Sequence, residues 1–206
     1  MNKLKLAVSL IGLLAANLPV FSAKAQQADV QFGTPAVSGG ACKVDGVTHS
    51  SDNAGIAILL DNYAAESTGS LQRKRCVLSV PITLQPGFFI QQIDFLYDGY
   101  ANVSSGGQAE LLYSYSVGTT PTPSSTGGRV RFNPKYSDLY QQQDSTFFGA
   151  AFGCKAQTIL GINSSLTARG KGTIIALDKI TAENLDEITP ESLGRITIIP
   201  IIRECS

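Results

Sequence analysis

One stretch constrains the fold more than any other. Between residues 73 and 84, Cys76, Leu78, Val80, Ile82 and Leu84 fall on one parity, while Arg73, Arg75, Ser79 and Thr83 fall on the other. Successive side chains of a β-strand point to opposite faces, so this alternation specifies a strand with one buried face and one wet face. Pro86-Gly87 then breaks the run. Residues 88–97 resume it with apolar side chains on both parities, Phe89, Ile93, Phe95 and Tyr97 against Ile90 and Leu96, as expected of a strand partly covered on both sides.

The same reading places strands at residues 56–60, 109–117, 129–132, 146–152, 158–166, 173–177 and 195–202, all rich in Ile, Val, Leu, Tyr and Phe. Short strands with recurrent turns, and no alternation of strand with long helix, predict an all-β chain: an antiparallel β-sandwich or jelly-roll-like fold. Asn102 to Gly107 reads as a hairpin loop between two strands, and residues 118–128, GTTPTPSSTGG, as an exposed loop without regular structure. In residues 195–202 the isoleucines occupy both parities, which predicts a central or covered strand, with an edge or bulge at Pro200. One short helix is expected near the C-terminus, within residues 181–193. There Thr189 can cap and Pro190 can take the first helical position.

The N-terminus reads as a removable leader. Lys3 and Lys5 form a positive head, residues 6–16 an apolar run, and Ala23-Lys24-Ala25 a small-x-small cleavage site. This uncharged run of 11 residues falls well short of the roughly 20 that a membrane-spanning helix needs. We therefore expect residues 1–25 to be a signal peptide and residues 26–206 to be a single secreted or periplasmic domain without a membrane anchor. Removing Lys3, Lys5 and Lys24 leaves 13 basic against 16 acidic side chains. With the basic residues scattered except at Arg73-Lys74-Arg75, nucleic acid is a poor partner.

All four cysteines, Cys42, Cys76, Cys154 and Cys205, lie in the exported portion, where an even number reads as two disulfides. Zinc sites bring ligands in close pairs, whereas these spacings are 34, 78 and 51 residues and His49 is the only histidine. Three connectivities are open. We favour Cys42 with Cys76 and Cys154 with Cys205, because these bonds close loops within one half of the chain each. Loop-closure entropy separates the choices by less than about 1 kcal/mol, so the placement of Cys76 on the buried face of its strand carries more weight.

Catalytic chemistry finds little to stand on. His49 has no serine in an elbow motif to serve and reads as a loop residue. Gly170-Lys171-Gly172 lacks the third glycine of a dinucleotide fingerprint. Asp94 and Asp98 share a strand face but lie about 13 Å apart at 3.3 Å per residue, too wide for a glycosidase pair unless Glu110 or Asp178 joins across strands. Asp52, Asn53, Asp61 and Asn62 offer oxygen ligands for calcium but not its loop spacing, and read as turn residues. No catalytic residue, metal ligand or cofactor is assigned.

Several segments together resemble an uncharacterised family of secreted proteins, domain of unknown function 4360. They are Ser38-Gly39-Gly40-Ala41-Cys42; Arg75-Cys76-Val77-Leu78-Ser79-Val80 with Pro86-Gly87-Phe88; Tyr97-Asp98-Gly99-Tyr100-Ala101 with Gly106-Gly107; Phe152-Gly153-Cys154; Gly161-Ile162-Asn163-Ser164-Ser165-Leu166; and the final Cys205. The family's tryptophan positions have no counterpart in this Trp-free chain. The resemblance implies a secreted, β-rich domain with paired cysteines and names no activity. The expected function is noncatalytic binding at a surface or outside the cell, to a glycan or a surface protein, with Tyr136, Tyr140, Gln141, Gln142 and Gln143 as candidate binding residues. Two alternatives are a hydrolase of cell-wall or extracellular polysaccharide and a structural protein of the envelope or matrix. Two carboxylates converging in a cleft would favour the hydrolase, and a flat face rich in aromatic or Gln and Tyr side chains would favour binding.

Overall fold

In the computed structural model the described residues are 30–38, 40–50, 55–118, 120–121, 127–148, 154, 157–177 and 194–205. The alternation in residues 73–84 emerges as β6 (Gln72–Leu84), whose Cys76, Leu78, Val80, Ile82 and Leu84 are all buried. Around it is built one antiparallel sheet. Its order is β1 (Val30–Phe32), β6, β12 (Gln157–Arg169), β8 (Gln108–Val117) and β10 (Gly127–Phe132), with β2 (Ala36–Ser38) also on β6 and β9 (Thr120–Pro121) on β8.

The second sheet runs β3 (Lys43–His49), β4 (Ile56–Asp61), β14 (Arg195–Glu204), β7 (Phe88–Asn102), β13 (Thr173–Ala176) and β5 (Ala64–Ser67), and β11 (Ser137–Phe147) pairs the other side of β7. The two sheets pack face to face as a β-sandwich. Phe95 of β7 stacks on Tyr115 of β8 at 3.8 Å between ring centroids, and Tyr97 on Tyr113 at 4.9 Å. Buried hydroxyls need partners, and two bonds across the sandwich supply them. Tyr97 Oη donates to Tyr115 Oη at 3.0 Å, and Tyr63 Oη to Ser164 Oγ at 2.9 Å.

Both disulfides form with the favoured pairing. Cys42, just before β3, joins Cys76 of β6 with a Cα separation of 5.5 Å, so this buried bond ties one sheet to the other. Cys154 joins Cys205 at 6.1 Å and tethers the end of β14. Each should stabilise by roughly 2–4 kcal/mol.

Several sequence expectations change. A bulge switches the buried parity of β7: Gln92 pairs with Ile201 and Ile90 with Ile202, so Gln91 is skipped and Ile90 and Ile93 are both buried, while Leu96 stays half-buried on the other face. Asn102 to Gly107 is no hairpin, because β7 and β8 belong to different sheets and the segment crosses between them. Gly170-Lys171-Gly172 is likewise a turn between sheets, with positive φ at both glycines and Thr173 N–H donating to Gly170 O.

The segment read as a strand at 146–152 instead ends β11, which begins at Ser137, and residues 149–153 lie outside the described residues. Within 118–128, β9 and the start of β10 are strand, and residues 119 and 122–126 lie outside the description. Pro200 sits where predicted, beyond the part of β14 paired to β4 and one residue before the bulge. The leader and the short helix expected within 181–193 also lie outside the described residues. No helix among the described residues is long and apolar enough to cross a membrane.

Candidate functional site

The outer face of the second sheet is assembled by register. β7 sits between β11 and β14, and pairing aligns Gln141, Asp98, Arg195 and Leu59 in one row; Gln143, Leu96, Thr197 and Ala57 in the next; Ser145, Asp94 and Ile199 in a third; and Phe147, Gln92 and Ile201 in a fourth. Each row runs across the strands at about 4.8 Å per step. Three apolar side chains stand clear of this face: Phe147, 68% exposed, Ile199, 45%, and Ile201, 37%. They alternate with amides and carboxylates. Gln92 Nε2 donates to Asp94 Oδ1 at 2.6 Å, which holds both groups in place between Phe147 and Ile201.

Beside this strip a groove of about 390 Å³ lies between β3 and β14. Ala57, Leu96 and Thr197 are among its lining residues, with Ile199 and Arg195 on one side and Thr48, His49 and Ser50 on the other. The floor is low because small side chains line it. Gly55 allows the close approach of β4 to β14, since a Cβ there would come within 2.8 Å of Ile198 O. Arg195 is anchored by Asp98: Nε and Nη2 donate to Asp98 Oδ2 at 3.1 and 2.9 Å, and Gln141 Nε2 donates to Oδ1 at 2.8 Å. Both oxygens of Asp98 are thereby engaged, in a residue only 7% exposed.

The five residues predicted for binding are split by the pleat. Four of them lie on β11 and Tyr136 just before it, so the parity of that strand decides. Gln141 and Gln143 face outward on the rows above. Tyr140 is 8% exposed, packs against Phe132 at 4.7 Å and donates its hydroxyl to Ala176 O at 3.2 Å. Burial pushes its hydroxyl pKa well above the ordinary tyrosine value. Tyr136 packs on the same Phe132 at 5.1 Å and donates to Leu139 O. Gln142 points to the inner side and donates to Tyr113 Oη at 3.4 Å. The two tyrosines are thus packing residues, because Phe132 draws both rings inward.

The candidate carboxylates separate as well. Asp94 and Asp98 lie on this outer face, whereas Glu110 lies on the outer face of the other sheet; Asp178 and Asp52 are outside the described residues. Asn62, at φ 60°, donates to Asp61 Oδ2 in the turn after β4. No group of three or more His, Cys, Asp or Glu side chains able to hold a metal ion occurs among the described residues. His49, expected in a loop, is the last residue of β3 and lines the groove.

Sequence reading missed Phe147, Ile199, Ile201 and the groove. The signal was present in part: adjacent Phe147 and Phe148 must face opposite sides of a strand, and the isoleucines of β14 occupy both parities.

Comparison with solved structures finds distant likenesses. A carbohydrate-binding module described for specific mannan recognition is 7% identical, with a TM-score of 0.30 over 85% of this chain and 99% of that one. A second such module, described in complex with β-1,4-galactotriose, is 11% identical, with a TM-score of 0.24 over 69% of this chain and 82% of that one. The enzymatically active domain of tailspike protein 4 of bacteriophage CBA120 is 8% identical, with a TM-score of 0.30 over 84% of this chain and 19% of that one. Likeness at this distance says nothing about a ligand. No curated protein matches the sequence. The family described as a domain of unknown function, DUF4360, matches residues 28–188, most of the length including three of the four cysteines, and the chain belongs to that family.

Proposed function

We propose that residues 26–206 form a single exported domain that binds a neutral glycan without cleaving it, on the outer face of the second sheet. The observation that carries this reading is the alternation of exposed apolar side chains, Phe147, Ile199 and Ile201, with hydrogen-bonding groups, Gln92 and Asp94 bonded to one another and Gln143 exposed beside them, next to an open groove. A sugar ring has an apolar C–H face and a rim of hydroxyls. An exposed aromatic ring covers the first, and amides and carboxylates satisfy the second. Exposed apolar side chains clustered among polar groups mark an interaction site. Two disulfides agree with an oxidising compartment.

A glycan array probed with the purified protein, with released reducing ends assayed in parallel, tests the proposal. The expected result is binding of at least one neutral glycan, no new reducing ends, and affinity lowered about tenfold by Phe147→Ala, the cost of losing one stacking anchor. Absence of any glycan binding, or release of reducing ends, would overturn it. Intact-mass analysis of the exported protein should place the N-terminus at Gln26.

A further inference from the structure

The outer face of the first sheet has the opposite chemistry. Register places Arg73, Thr167, Glu110 and Arg131 in one row and Arg75, Ser165, Leu112 and Arg129 in the next, with Arg169 beside Gln108 in the row beyond. Five of the seven arginines in the sequence therefore share one face, although they come from three separate stretches of chain. All five are exposed; the side chains of Arg129 and Arg131 are 50% and 56% exposed. The sole carboxylate in these rows, Glu110, accepts from Arg131 Nε at 2.9 Å and lies 3.3 Å from Arg129 Nε, so it orients two of the arginines while neutralising one charge.

We propose that this face binds an acidic polysaccharide, gripped through its carboxylate or sulfate groups. The net excess of four positive charges stands on a chain whose own formal charge is zero, so the attraction is local to this face and not a property of the whole molecule. Arginine, with its planar fork of donors, is the cation suited to paired hydrogen bonds with carboxylate or sulfate oxygens. Two rails of arginine, on β6 and β10, stand three strand spacings or about 14 Å apart. Between them Thr167 Oγ1 accepts from Arg73 Nε at 3.4 Å, which steadies one arginine of the β6 rail. Leu112 is the one apolar side chain of these rows and is half-buried. With no aromatic ring to stack on bases and no apolar side chain to enter a bilayer, the rows fit a polyanion made of sugar and not nucleic acid or membrane.

The test is binding of the purified full-length mature protein to immobilised heparin, polygalacturonate, neutral dextran and a single-stranded oligonucleotide. Retention is expected on heparin, polygalacturonate or both, and should weaken steeply with salt; which of the two is retained assigns sulfate or carboxylate. The quadruple variant Arg73→Gln, Arg75→Gln, Arg129→Gln, Arg131→Gln should bind about tenfold or more weakly, with an unchanged melting temperature. Arg203→Gln and Phe147→Ala should leave retention unchanged, which separates this surface from the glycan site of the second sheet. No retention on either acidic polymer would overturn the proposal. So would equal retention on dextran, tighter binding of the oligonucleotide, or retention unaffected by the quadruple change in a folded variant.

Discussion

The two outer faces of this sandwich lie on the same core and differ in how they hold charge. On the second sheet, Arg195 is sunk against Asp98, which is 7% exposed and also takes Gln141. What projects from that face is uncharged in its central rows: Phe147, Ile199 and Ile201 with Gln141, Gln143 and Ser145. On the first sheet the arginines project and the apolar side chains do not, apart from Leu71 and Ile159 beyond the arginine rows. An ion pair's surroundings decide its role. The Asp98–Arg195 pair, its carboxylate buried and engaged by three hydrogen bonds, is part of the scaffold. Glu110 with Arg129 and Arg131 is a solvated cluster worth little to stability, which leaves its charge free to act on a partner.

The largest effect should come from what the faces share. Tyr63, Tyr97, Tyr115 and Tyr140 lie in the core, and burial raises all four hydroxyl pKa values. In the unfolded chain they ionise near pH 10, while in the folded protein they keep their protons, so the native state binds more protons above that pH and stability falls as pH rises. Each tyrosine withdraws up to about 1.4 kcal/mol for every pH unit climbed above 10. Denaturant unfolding followed from pH 8 to pH 11 should show flat stability and then a steep loss. A curve that stays flat to pH 11 would contradict the closed tyrosine core.

Next in size is Phe95→Ala, which removes the ring stacked on Tyr115 and should cost about 3–5 kcal/mol. Heparin retention and neutral-glycan binding should then be lost at one and the same temperature. Loss at two temperatures would show that the faces are separable units that do not share one core.

Asp98→Asn should cost about 1–3 kcal/mol in denaturant unfolding, because it leaves Arg195 half-buried without its counter-charge. Glu110→Gln is the smallest effect, within about 1 kcal/mol on stability, and it should tighten rather than loosen binding of an acidic polymer. If the two substitutions cost the same, the contrast drawn between the faces fails.

Much of this arrangement was legible along the chain. Parity alone marked Cys76, Leu78, Val80, Ile82 and Leu84 as buried, and all five are. The spacings Arg73–Arg75 and Arg129–Arg131 place each pair on one face of its own strand by the same rule. The all-β class, the strand propensities and the number of cysteines are local or compositional quantities, and a sequence holds them in full.

Only the tertiary structure decided which strands lie side by side, since that depends on register between segments far apart in the chain. It brought β10 and β6 to opposite margins of one face and so turned two short arginine pairs into a single charged surface, where the sequence showed basic residues scattered. It sent Asn102 to Gly107 across the sandwich instead of round a hairpin. It also divided Tyr140 from Gln141, adjacent residues of equal promise on paper, because the pleat turns one into the core and the other to solvent, and only the packing of Phe132 settles which.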